Sequence, residues 1–397
     1  MNKIKVLYIH HATGWGGAPL SLFNMVAQLD KEMFDINVLL LKDSIVRDVF
    51  TGANIQCYVA KSPFYKYFYR FISYSEAGGY NWYNIRKLMR PAISWILSRL
   101  IFADRELKQF CVDIIHLNSS VLTDWLAPAK KKGKVVYHVR EPIRRTSYDP
   151  LYWFMRYQVN KYADAVIAIS EDNAKRIDIP HKTSIVYNYT SVSDQPMDKE
   201  SYYSKKVLYA GGGSEIKGFY TLVDSLSFID NSVQILFCGY YHSKNDLAVR
   251  KVIRRLKPRN RKYLRYLNKM SINYHTRLIG MVPDITPYID ECCCLVSPFS
   301  KTHFSRPIIE AHLRKKPVIA TRIPGIDEQV RDGIDGVLVN INDACALADA
   351  INMLSGQPSL CKDMGENGYR YSIEKYSVNN IDKVKRVYQS LVYGKSF

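Results

Sequence analysis

The fold prediction starts from the segment SPFSKTHFSRPIIEA, residues 297–311, and from PVIA at residues 317–320. The apolar run that ends at Ser297 is typical of a buried strand, and the polar loop after it leads into a helix that begins near Arg306. Ligands of open α/β sheets bind at the carboxyl ends of strands. A helix N-terminus at that place offers free N–H groups and a partial positive charge, which suit a diphosphate. The segment therefore predicts a phosphate-binding site between a strand and a helix.

Glu310 lies about one turn inside this predicted helix. Its carboxylate can accept two hydrogen bonds from a ribose diol. It can equally be a surface glutamate that compensates the helix dipole. Spacing alone does not separate these two interpretations.

The same pattern of strand, loop and helix recurs on both sides of this segment. Residues 4–9 predict a short strand, residues 10–17 a glycine-containing loop, and residues 36–41 a second strand after a run with helical spacing. A second α/β half begins with the strand at residues 207–210. Because 397 residues exceed the usual size of one hydrophobic core, we expect an α/β protein with two domains.

The predicted boundaries place an N-terminal domain at residues 1–195 and a C-terminal domain at residues 205–375. The polar residues 191–204 lack periodicity and predict the linker between them. Residues 376–397 are expected to form a C-terminal helix that packs back toward the N-terminal domain.

A glycine loop, Gly211-Gly212-Gly213, follows the first strand of the C-terminal half, and Lys217 comes shortly after it. Such a loop lets backbone N–H groups approach phosphate oxygens, and the lysine adds a point charge. The alternative is an ordinary turn with an exposed lysine. The N-terminal loop with Gly16 and Gly17 is a weaker signal, because it lacks the G-x-G-x-x-G spacing.

The net charge of +19 and the 30 tyrosines give information about possible binding partners and not about the fold. They permit a nucleic acid, an anionic membrane surface or an anionic substrate. Residues 64–102 and 250–269 combine basic and aromatic side chains. Each segment is either a solvated insertion packing on its own domain or a surface that docks on anionic lipid. No RNA-recognition motif is present, so we expect no nucleic-acid partner.

The expected location is the cytoplasm. The first residues do not resemble a signal peptide, and no apolar run reaches the ~20 residues that span a bilayer. The eight cysteines show no C-x-x-C spacing, so we expect free core thiols in a reducing compartment.

The segment at residues 297–339 resembles the donor-site motif of retaining GT-B glycosyltransferases, the family numbered 4. That motif has a phenylalanine, a helix with Glu-Ala, the strand P-V-I-A and a glycine-containing loop with a glutamate. The matching positions, in order, are Phe304, Glu310, Ala311, Pro317, Val318, Ile319, Ala320, Gly325, Glu328, Gly333 and Gly336. The resemblance implies the GT-B fold: two Rossmann-like domains whose parallel sheets face a cleft, the N-terminal one binding acceptor and the C-terminal one nucleotide sugar.

Three positions depart from the family pattern. Thr302 stands where the family has the first glutamate of its pair, and Ser305 where it has a glycine. Gly212 stands where the family has an arginine that grips the donor diphosphate together with the lysine matched by Lys217. Arg306 is a candidate replacement for that cation.

The resemblance also implies roles for individual residues. His138, at the end of a strand, matches a family histidine that contacts the donor sugar, although a lone strand histidine is more often structural. The expected catalytic residues are His138, Lys217 and Glu310. The expected donor-binding residues are Gly16, Gly17, Gly211, Gly212, Lys217, Thr302, Phe304, Ser305, Arg306, Pro307, Ile309 and Glu310.

Taken with the resemblance, these residues predict a glycosyltransferase of the hexosyltransferase type. It would move a sugar, with retention, from a nucleotide diphosphate sugar to a saccharide or lipid-linked acceptor in bacterial surface polysaccharide or glycolipid synthesis. We expect no cofactor and no metal, because no D-x-D stands in a donor-site context. Lys217, the helix dipole and backbone amides would stabilise the leaving group. The alternative is a nucleotide-sugar epimerase that keeps the donor site without acceptor transfer.

Overall fold

The structure, a computed structural model of the chain, describes residues 3–14, 16–76, 78–79, 85–146, 148–188, 199–241, 258–273, 275–377 and 379–394. The chain divides into two compact units. Unit 1 comprises Met1–Thr190 and Val378–Phe397, and unit 2 comprises Ser191–Ser377. Each unit is built on a parallel sheet with helices between its strands, so the prediction of two Rossmann-like α/β domains is confirmed.

Unit 1 contains a seven-stranded sheet and a separate two-stranded antiparallel pair. The strands are β1 (Ile4–His10), β2 (Phe34–Leu40), β3 (Gln56–Val59), β4 (Tyr74–Ser75), β5 (Gly78–Gly79), β6 (Ile114–Leu117), β7 (Lys134–Val139), β8 (Ala165–Ala168) and β9 (Thr183–Ile185). The helices are α1 (Gly17–Ala27), α2 (Ile45–Gly52), α3 (Ile85–Leu97), α4 (Ala103–Leu107), α5 (Leu126–Lys130), α6 (Pro150–Tyr162) and α7 (Glu171–Ile177), with π-helical turns at Phe64–Phe68 and Ser98–Phe102 and 3-10 turns at Thr123–Trp125 and Pro180–Lys182.

The large sheet of unit 1 runs in the order β3-β2-β1-β6-β7-β8-β9. Strands β2 and β3 lie on one side of β1, and strands β6 to β9 lie on its other side. The strand order therefore reverses between β1 and β6. Loops that leave two such strands diverge to opposite faces and open a crevice at their carboxyl ends. Functional residues of unit 1 are therefore expected at this crevice.

Unit 2 contains a six-stranded parallel sheet. Its strands are β10 (Lys206–Tyr209), β11 (Gln234–Cys238), β12 (Thr276–Gly280), β13 (Cys294–Ser297), β14 (Val318–Thr321) and β15 (Gly336–Val339). Its helices are α8 (Phe219–Ser225), α9 (Pro258–Ser271), α10 (Thr286–Asp290), α11 (Arg306–Leu313), α12 (Ala344–Gly356) and α13 (Pro358–Lys375), with a 3-10 turn at Lys199–Tyr203. The order is β12-β11-β10-β13-β14-β15, which reverses between β10 and β13.

The last helix, α14 (Asn380–Tyr393), belongs to unit 1 although it follows unit 2 in sequence. Its side chains Ile381, Val384 and Tyr388 are buried in the apolar cluster that also contains residues of β1 and β2. They recur at spacings of three and four residues, which places them on one helix face. The chain therefore passes from unit 1 to unit 2 and back again.

Some elements were not predicted, and three of them lack the signal that the prediction used. Strands β3 and β12 lie at sheet edges, where about half of their side chains are exposed, so they show no continuous apolar run. Helix α13 has two glycines in its interior, which lower helix propensity. One of them, Gly365, packs directly on the backbone carbonyl of Lys315, so no side chain fits there.

Several sequence predictions fall partly on residues that the structure does not describe. These residues are 191–198 of the linker, 250–257 of the basic segment, 77 and 80–84 of the segment 64–102, and residue 15 of the first loop. The prediction of core thiols is wrong for two of the eight cysteines, because Cys111 and Cys345 are exposed. Within the described ranges, no helix is long and apolar enough to cross a membrane.

Candidate functional site

The site in unit 2 lies where the sheet order reverses, at the carboxyl ends of β10 and β13. These two strands pair in parallel, so the loops that follow them leave from the same edge. The loops are in contact: the Ser300 N–H donates to the Ile216 carbonyl oxygen at 2.9 Å, and the Ser300 hydroxyl donates to the Glu215 carbonyl oxygen at 3.1 Å. The two segments that the sequence singled out therefore form one site.

A small cavity of about 40 Å³ lies at this junction. It brings together the predicted residues Gly211, Lys217, Ser305 and Pro307. The full lining is Tyr209, Ala210, Gly211, Lys217, Leu295, Val296, Ser297, Phe299, His303, Ser305 and Pro307.

The backbone of the glycine loop does not act as predicted. The Gly212 N–H donates to the Cys238 carbonyl at 3.0 Å, and the Gly213 N–H donates to the Tyr240 carbonyl at 3.0 Å. Both amides are used inside the protein and do not face a phosphate. Gly212 has φ of +59°, and a Cβ there would lie 2.6 Å from the Tyr240 carbonyl oxygen. The loop in this conformation therefore admits no side chain at this position, and the arginine of the family pattern would not fit it.

Lys217 is the cation of this site. Its side chain is partly buried, and burial lowers the pKa of its ammonium group. No described residue forms an ion pair or a hydrogen bond with that group. The turn therefore does not hold an ordinary exposed lysine, and the positive charge is directed to the cavity rather than to a protein carboxylate.

His303 is a second polar group in the cavity, and sequence analysis did not single it out. Its ring stacks on Phe299 with centroids 4.3 Å apart and 15° between the planes. Burial, followed by the positive charge of Lys217, lowers the pKa of His303 to about 3, so the ring is neutral at pH 7. Its Nδ1 is buried without a hydrogen-bond partner in the described part of the chain.

The N-terminus of helix α11 is held by a residue that sequence analysis missed. The buried Gln329 accepts a hydrogen bond from the Ser305 N–H at 2.6 Å and donates from Nε2 to the Ser305 carbonyl at 2.8 Å. The Ser305 amide is therefore unavailable to a ligand. The first turn of a helix has N–H groups without intrahelical acceptors, which leaves those of Arg306 and Ile308, because Pro307 has none.

Glu310 and Arg306 form an ion pair one turn apart on α11, with Arg306 Nη2 2.8 Å from Glu310 Oε1. The Glu310 side chain is 14% exposed, so it is not a freely solvated surface glutamate. Burial raises the pKa of its carboxyl group, and the charge of Arg306 opposes that shift. The second carboxylate oxygen is buried without a partner among the described residues. One oxygen thus remains for a ligand, and Arg306 is engaged with Glu310.

The other donor-binding candidates of unit 2 have different surroundings. Phe304 is buried and packs edge-on against Tyr376, with ring centroids 5.9 Å apart. Ile309 is also buried, with 1% of its surface exposed. Both side chains therefore support the site from within the unit. Thr302 is partly exposed in the loop before α11.

The candidate residues of unit 1 fall at two places. Gly16 and Gly17 are exposed where α1 begins, with Gly16 as its N-cap and Gly17 as its first residue. His138 lies near the end of β7 and is almost fully buried. Its Nδ1 is 2.9 Å from His116 Nε2, and its own Nε2 has no partner among the described residues.

A buried polar cluster surrounds the end of β7, and sequence analysis missed much of it. Arg140 donates from Nε to Asn118 Oδ1 at 2.7 Å and from Nη1 to the Ser21 hydroxyl at 2.7 Å. Asn118 Nδ2 lies 3.0 Å from His10 Nδ1. Burial lowers the pKa values of His10 and His138 well below the usual range, and the Arg140 charge adds to this. His10 and Asn118 adjoin the ends of β1 and β6, where the sheet order reverses, which is the signal that would have found them.

Within the described residues, no group of three or more His, Cys, Asp or Glu side chains is arranged to hold a metal ion.

Two protein families match this sequence. The family described as "Glycosyltransferase Family 4" matches residues 15–190, and the family described as "Glycosyl transferases group 1" matches residues 198–371. The two matched regions correspond closely to the main part of unit 1 and to unit 2. Both halves of the chain are therefore similar to glycosyltransferase families.

Individual relatives agree with these matches. The chain is 27% identical to the uncharacterized glycosyltransferase MJ1178 of Methanocaldococcus jannaschii over 242 residues, 60% of this chain and 63% of that protein, and so spans less than two thirds of it. It is 27% identical over 172 residues to the capsular polysaccharide biosynthesis glycosyltransferase CapM of Staphylococcus aureus, 43% of this chain and 41% of CapM.

Among solved structures, Alr3699/HepE of Anabaena in complex with UDP superimposes with a TM-score of 0.74 at 17% identity, covering 98% of this chain and 100% of that one. This likeness defines the fold as that of GT-B glycosyltransferases.

Proposed function

We propose that the chain is a glycosyltransferase that moves a sugar from a nucleotide diphosphate sugar to a saccharide or lipid-linked acceptor. The observation that carries the proposal is the cavity at the β10–β13 junction. It holds the Lys217 cation, which no described protein group neutralises, next to the N-terminus of α11. A site with a cation and helix N–H groups at the carboxyl ends of strands suits a diphosphate. The complex of HepE with UDP supports the nucleotide part.

The chemistry follows from the charges. As the sugar–phosphate bond breaks, negative charge develops on the leaving diphosphate. Lys217 and the N–H groups of α11 stabilise that charge, so no metal is needed for this step. The partnerless oxygen of Glu310 accepts a hydrogen bond from a hydroxyl of the nucleotide ribose. From the resemblance to family 4 we expect retention, with the leaving diphosphate taking the proton of the attacking acceptor.

The proposed setting is bacterial surface polysaccharide or glycolipid synthesis, at the cytoplasmic face of the membrane. The similarity to CapM, which is named for capsular polysaccharide biosynthesis, supports this setting. From the resemblance to family 4 we expect the transferred sugar to be a hexose.

A thermal-shift screen against UDP-, GDP-, ADP- and dTDP-sugars tests the donor. A ligand that binds only the folded state raises the melting temperature, and a concentration of 100 times Kd stabilises by about 2.7 kcal/mol. We expect one nucleotide class to raise it and the others to leave it unchanged. Products are then identified with the selected donor alone and with a saccharide acceptor. A shift with none of the four, or an epimerised donor in the absence of acceptor, would contradict the proposal.

We also propose that unit 1 docks on an anionic membrane through an apolar stripe on α3 and the π-helical turn after it. Met89, Ile93, Ile96 and Leu100 are 56%, 46%, 48% and 70% exposed. Their spacings of four, three and four residues put them on one face. A water-exposed helix face is normally polar.

The residues beside this apolar stripe also suit an anionic membrane. Arg86, Lys87 and Arg90 are exposed on α3 and supply positive charge beside the apolar residues. The Trp95 ring contacts Phe154 of α6 with centroids 5.3 Å apart, so the aromatic surface continues onto that helix. Basic side chains with aromatic and aliphatic neighbours are typical of surfaces that lie in a lipid interface.

Co-sedimentation with vesicles containing phosphatidylglycerol tests the membrane proposal. Replacing Ile93, Ile96 and Leu100 together by serine should weaken binding at least roughly tenfold, because three apolar side chains no longer enter the lipid. A matched control replaces by serine Ile272, Leu278 and Met281 of unit 2, which are 75%, 54% and 67% exposed, and should bind as the unmodified protein does. Equal binding by both triple variants would refute the surface, as would failure of the unmodified protein to bind.

A further inference from the structure

An open cavity of about 320 Å³ lies on unit 1, where the π-helical turn after α3 meets the last residues of α5 and α6. Arg99, Lys130 and Lys131 line it together with Tyr162. Cavities that hold small ligands have volumes of about 300–1,000 Å³. This cavity is therefore large enough for a small ligand, and its polar lining is basic.

The cavity is separate from the crevice of unit 1. Helix α5 leads into β7 at Lys134, and α6 leads into β8 at Ala165, so the cavity lies near the amino ends of these two strands. The crevice is at the carboxyl ends, which form the opposite edge of a parallel sheet. A ligand of this cavity is therefore distinct from any ligand of the crevice.

Arg99 is held in this lining by two aromatic rings. Its Cζ lies 5.0 Å from the ring centroid of Trp95 and 4.9 Å from that of Tyr162. Ring faces attract the positive charge but offer no acceptor oxygen. Among the described residues Arg99 forms no ion pair, and its buried Nη1 has no hydrogen-bond partner. A guanidinium group in such surroundings suits an oxyanion, because its planar fork matches the oxygens of a phosphate.

Two carboxylates lie near these cations, and neither forms an ion pair with Arg99. Lys130 Nζ lies 2.6 Å from Asp164 Oδ1, so these two charges compensate each other. Asp124 is buried near Arg99, and the Tyr69 hydroxyl donates to its two oxygens at 3.2 and 3.0 Å. Burial raises the pKa of Asp124 to about 7, so its negative charge is incomplete at neutral pH. The cavity therefore keeps a net positive charge.

Leu100 connects the cavity to the apolar stripe of α3. It lines the cavity, and it is also the last and most exposed residue of the stripe, at 70%. Lys131, on the same cavity, is exposed and has no ion-pair partner in the described part of the chain. In a bilayer the headgroup phosphates lie just outside the acyl layer. A stripe that enters the acyl layer thus brings this cavity level with the phosphates.

We propose that this cavity binds the phosphodiester headgroup of an anionic phospholipid, with Arg99 and Lys131 donating hydrogen bonds to the phosphate oxygens. That the phosphate belongs to a lipid rests on the membrane docking proposed above. The phosphate site itself depends neither on that docking nor on the glycosyltransferase activity. Two cations facing one phosphate favour an anionic lipid over phosphatidylcholine, because they repel the choline cation.

The soluble headgroup of phosphatidylglycerol, glycerophosphoglycerol, tests the site without a membrane. Its binding is followed by NMR of protein labelled in its alanine methyl groups, because Ala127 lines the cavity. The Ala127 signal is assigned by its loss in Ala127→Leu, and we expect the headgroup to shift it saturably. Lys131→Gln should weaken this binding roughly five- to tenfold. The control Lys132→Gln removes the neighbouring exposed charge outside the lining and should leave the affinity within about twofold.

Co-sedimentation with phosphatidylglycerol vesicles tests the lipid as the source of the phosphate. Ala127→Leu fills the cavity without changing the net charge, so both cations lose the headgroup. It should weaken vesicle binding roughly fivefold or more. Ala344→Leu adds the same side chain at a partly exposed position on α12 of unit 2 and should bind as the unmodified protein does.

The outcomes separate the parts of the proposal. A headgroup that leaves the Ala127 signal unshifted would overturn the phosphate site, and equal sedimentation of Ala127→Leu and Ala344→Leu would overturn the lipid ligand. If inorganic phosphate shifts Ala127 as readily as the headgroup does, and the unmodified protein does not sediment, the ligand is free phosphate and the lipid is refuted. An inactive enzyme that binds headgroup and vesicles as expected would instead contradict the glycosyltransferase function and leave this site standing.

Discussion

Lys217→Met is expected to reduce sugar transfer by about 100- to 1,000-fold, the usual effect of removing one preorganised group that stabilises developing negative charge. The expected effect on stability has the opposite sign. Because burial already disfavours the charged ammonium and no described residue pairs with it, an apolar side chain of similar length should leave the melting temperature unchanged or raise it. If the main role of Lys217 were to stabilise the fold, its replacement would instead lower the melting temperature and leave sugar transfer nearly unchanged.

The control for this variant is Lys301→Met. Lys301 is exposed on the neighbouring loop, so the change in net charge is the same while the cavity keeps its cation. We expect transfer by Lys301→Met within about twofold of the original, measured as initial rates at saturating donor and acceptor. A Lys217→Met enzyme that retains a third of the activity would contradict the assignment of Lys217 to the leaving group, and so would one that unfolds at a clearly lower temperature.

Gly212→Arg restores the residue of the family pattern and is nevertheless expected to damage the protein. A side chain at φ of +59° costs about 1–2 kcal/mol, and the new Cβ would lie 2.6 Å from a backbone oxygen, which adds about 1–3 kcal/mol of overpacking. Differential scanning calorimetry should therefore show the transition of unit 2 lowered by roughly 5–15 °C. Transfer should fall as well, because the loop that carries Lys217 is displaced.

Two further variants separate backbone strain from charge. Gly212→Ala adds only the Cβ and should show most of the loss of stability. Glu215→Arg adds a cation to the same loop at an exposed position and should leave the melting temperature within about 2 °C. An active and stable Gly212→Arg protein would mean that the loop adopts another conformation than the one described.

The sequence predicted the parts of this protein that depend on local pattern. Apolar runs of parallel strands identified β1, β10 and β13, and the order of loops and helices gave two α/β domains. The resemblance predicts that Lys217 and Glu310 belong to one donor site, and this assignment stays a prediction. The correct predictions of the fold share a cause, since buried parallel strands and the loops at their carboxyl ends leave a continuous signal in sequence.

What the sequence missed depends on contacts between distant residues. Gln329 holds Ser305 from 24 positions away, and Tyr388 reaches His116 from 272 positions away. Neither has a local pattern that reveals its partner. The prediction for the glycine loop failed for the same reason. The Gly212 amide donates to the Cys238 carbonyl because β11 packs beside β10, and the sequence near Gly212 does not reveal that packing.

The return of the chain to unit 1 has a consequence for the order of events during synthesis. Unit 2 is one continuous stretch, so it can complete its sheet before helix α14 has been synthesised. Unit 1 emerges first, but its core lacks Ile381, Val384 and Tyr388 until helix α14 has left the ribosome. The contact between His116 Nδ1 and the Tyr388 hydroxyl can likewise form only then. The core of unit 1 is therefore completed only after the whole of unit 2 has been synthesised, although unit 1 is the first of the two to emerge.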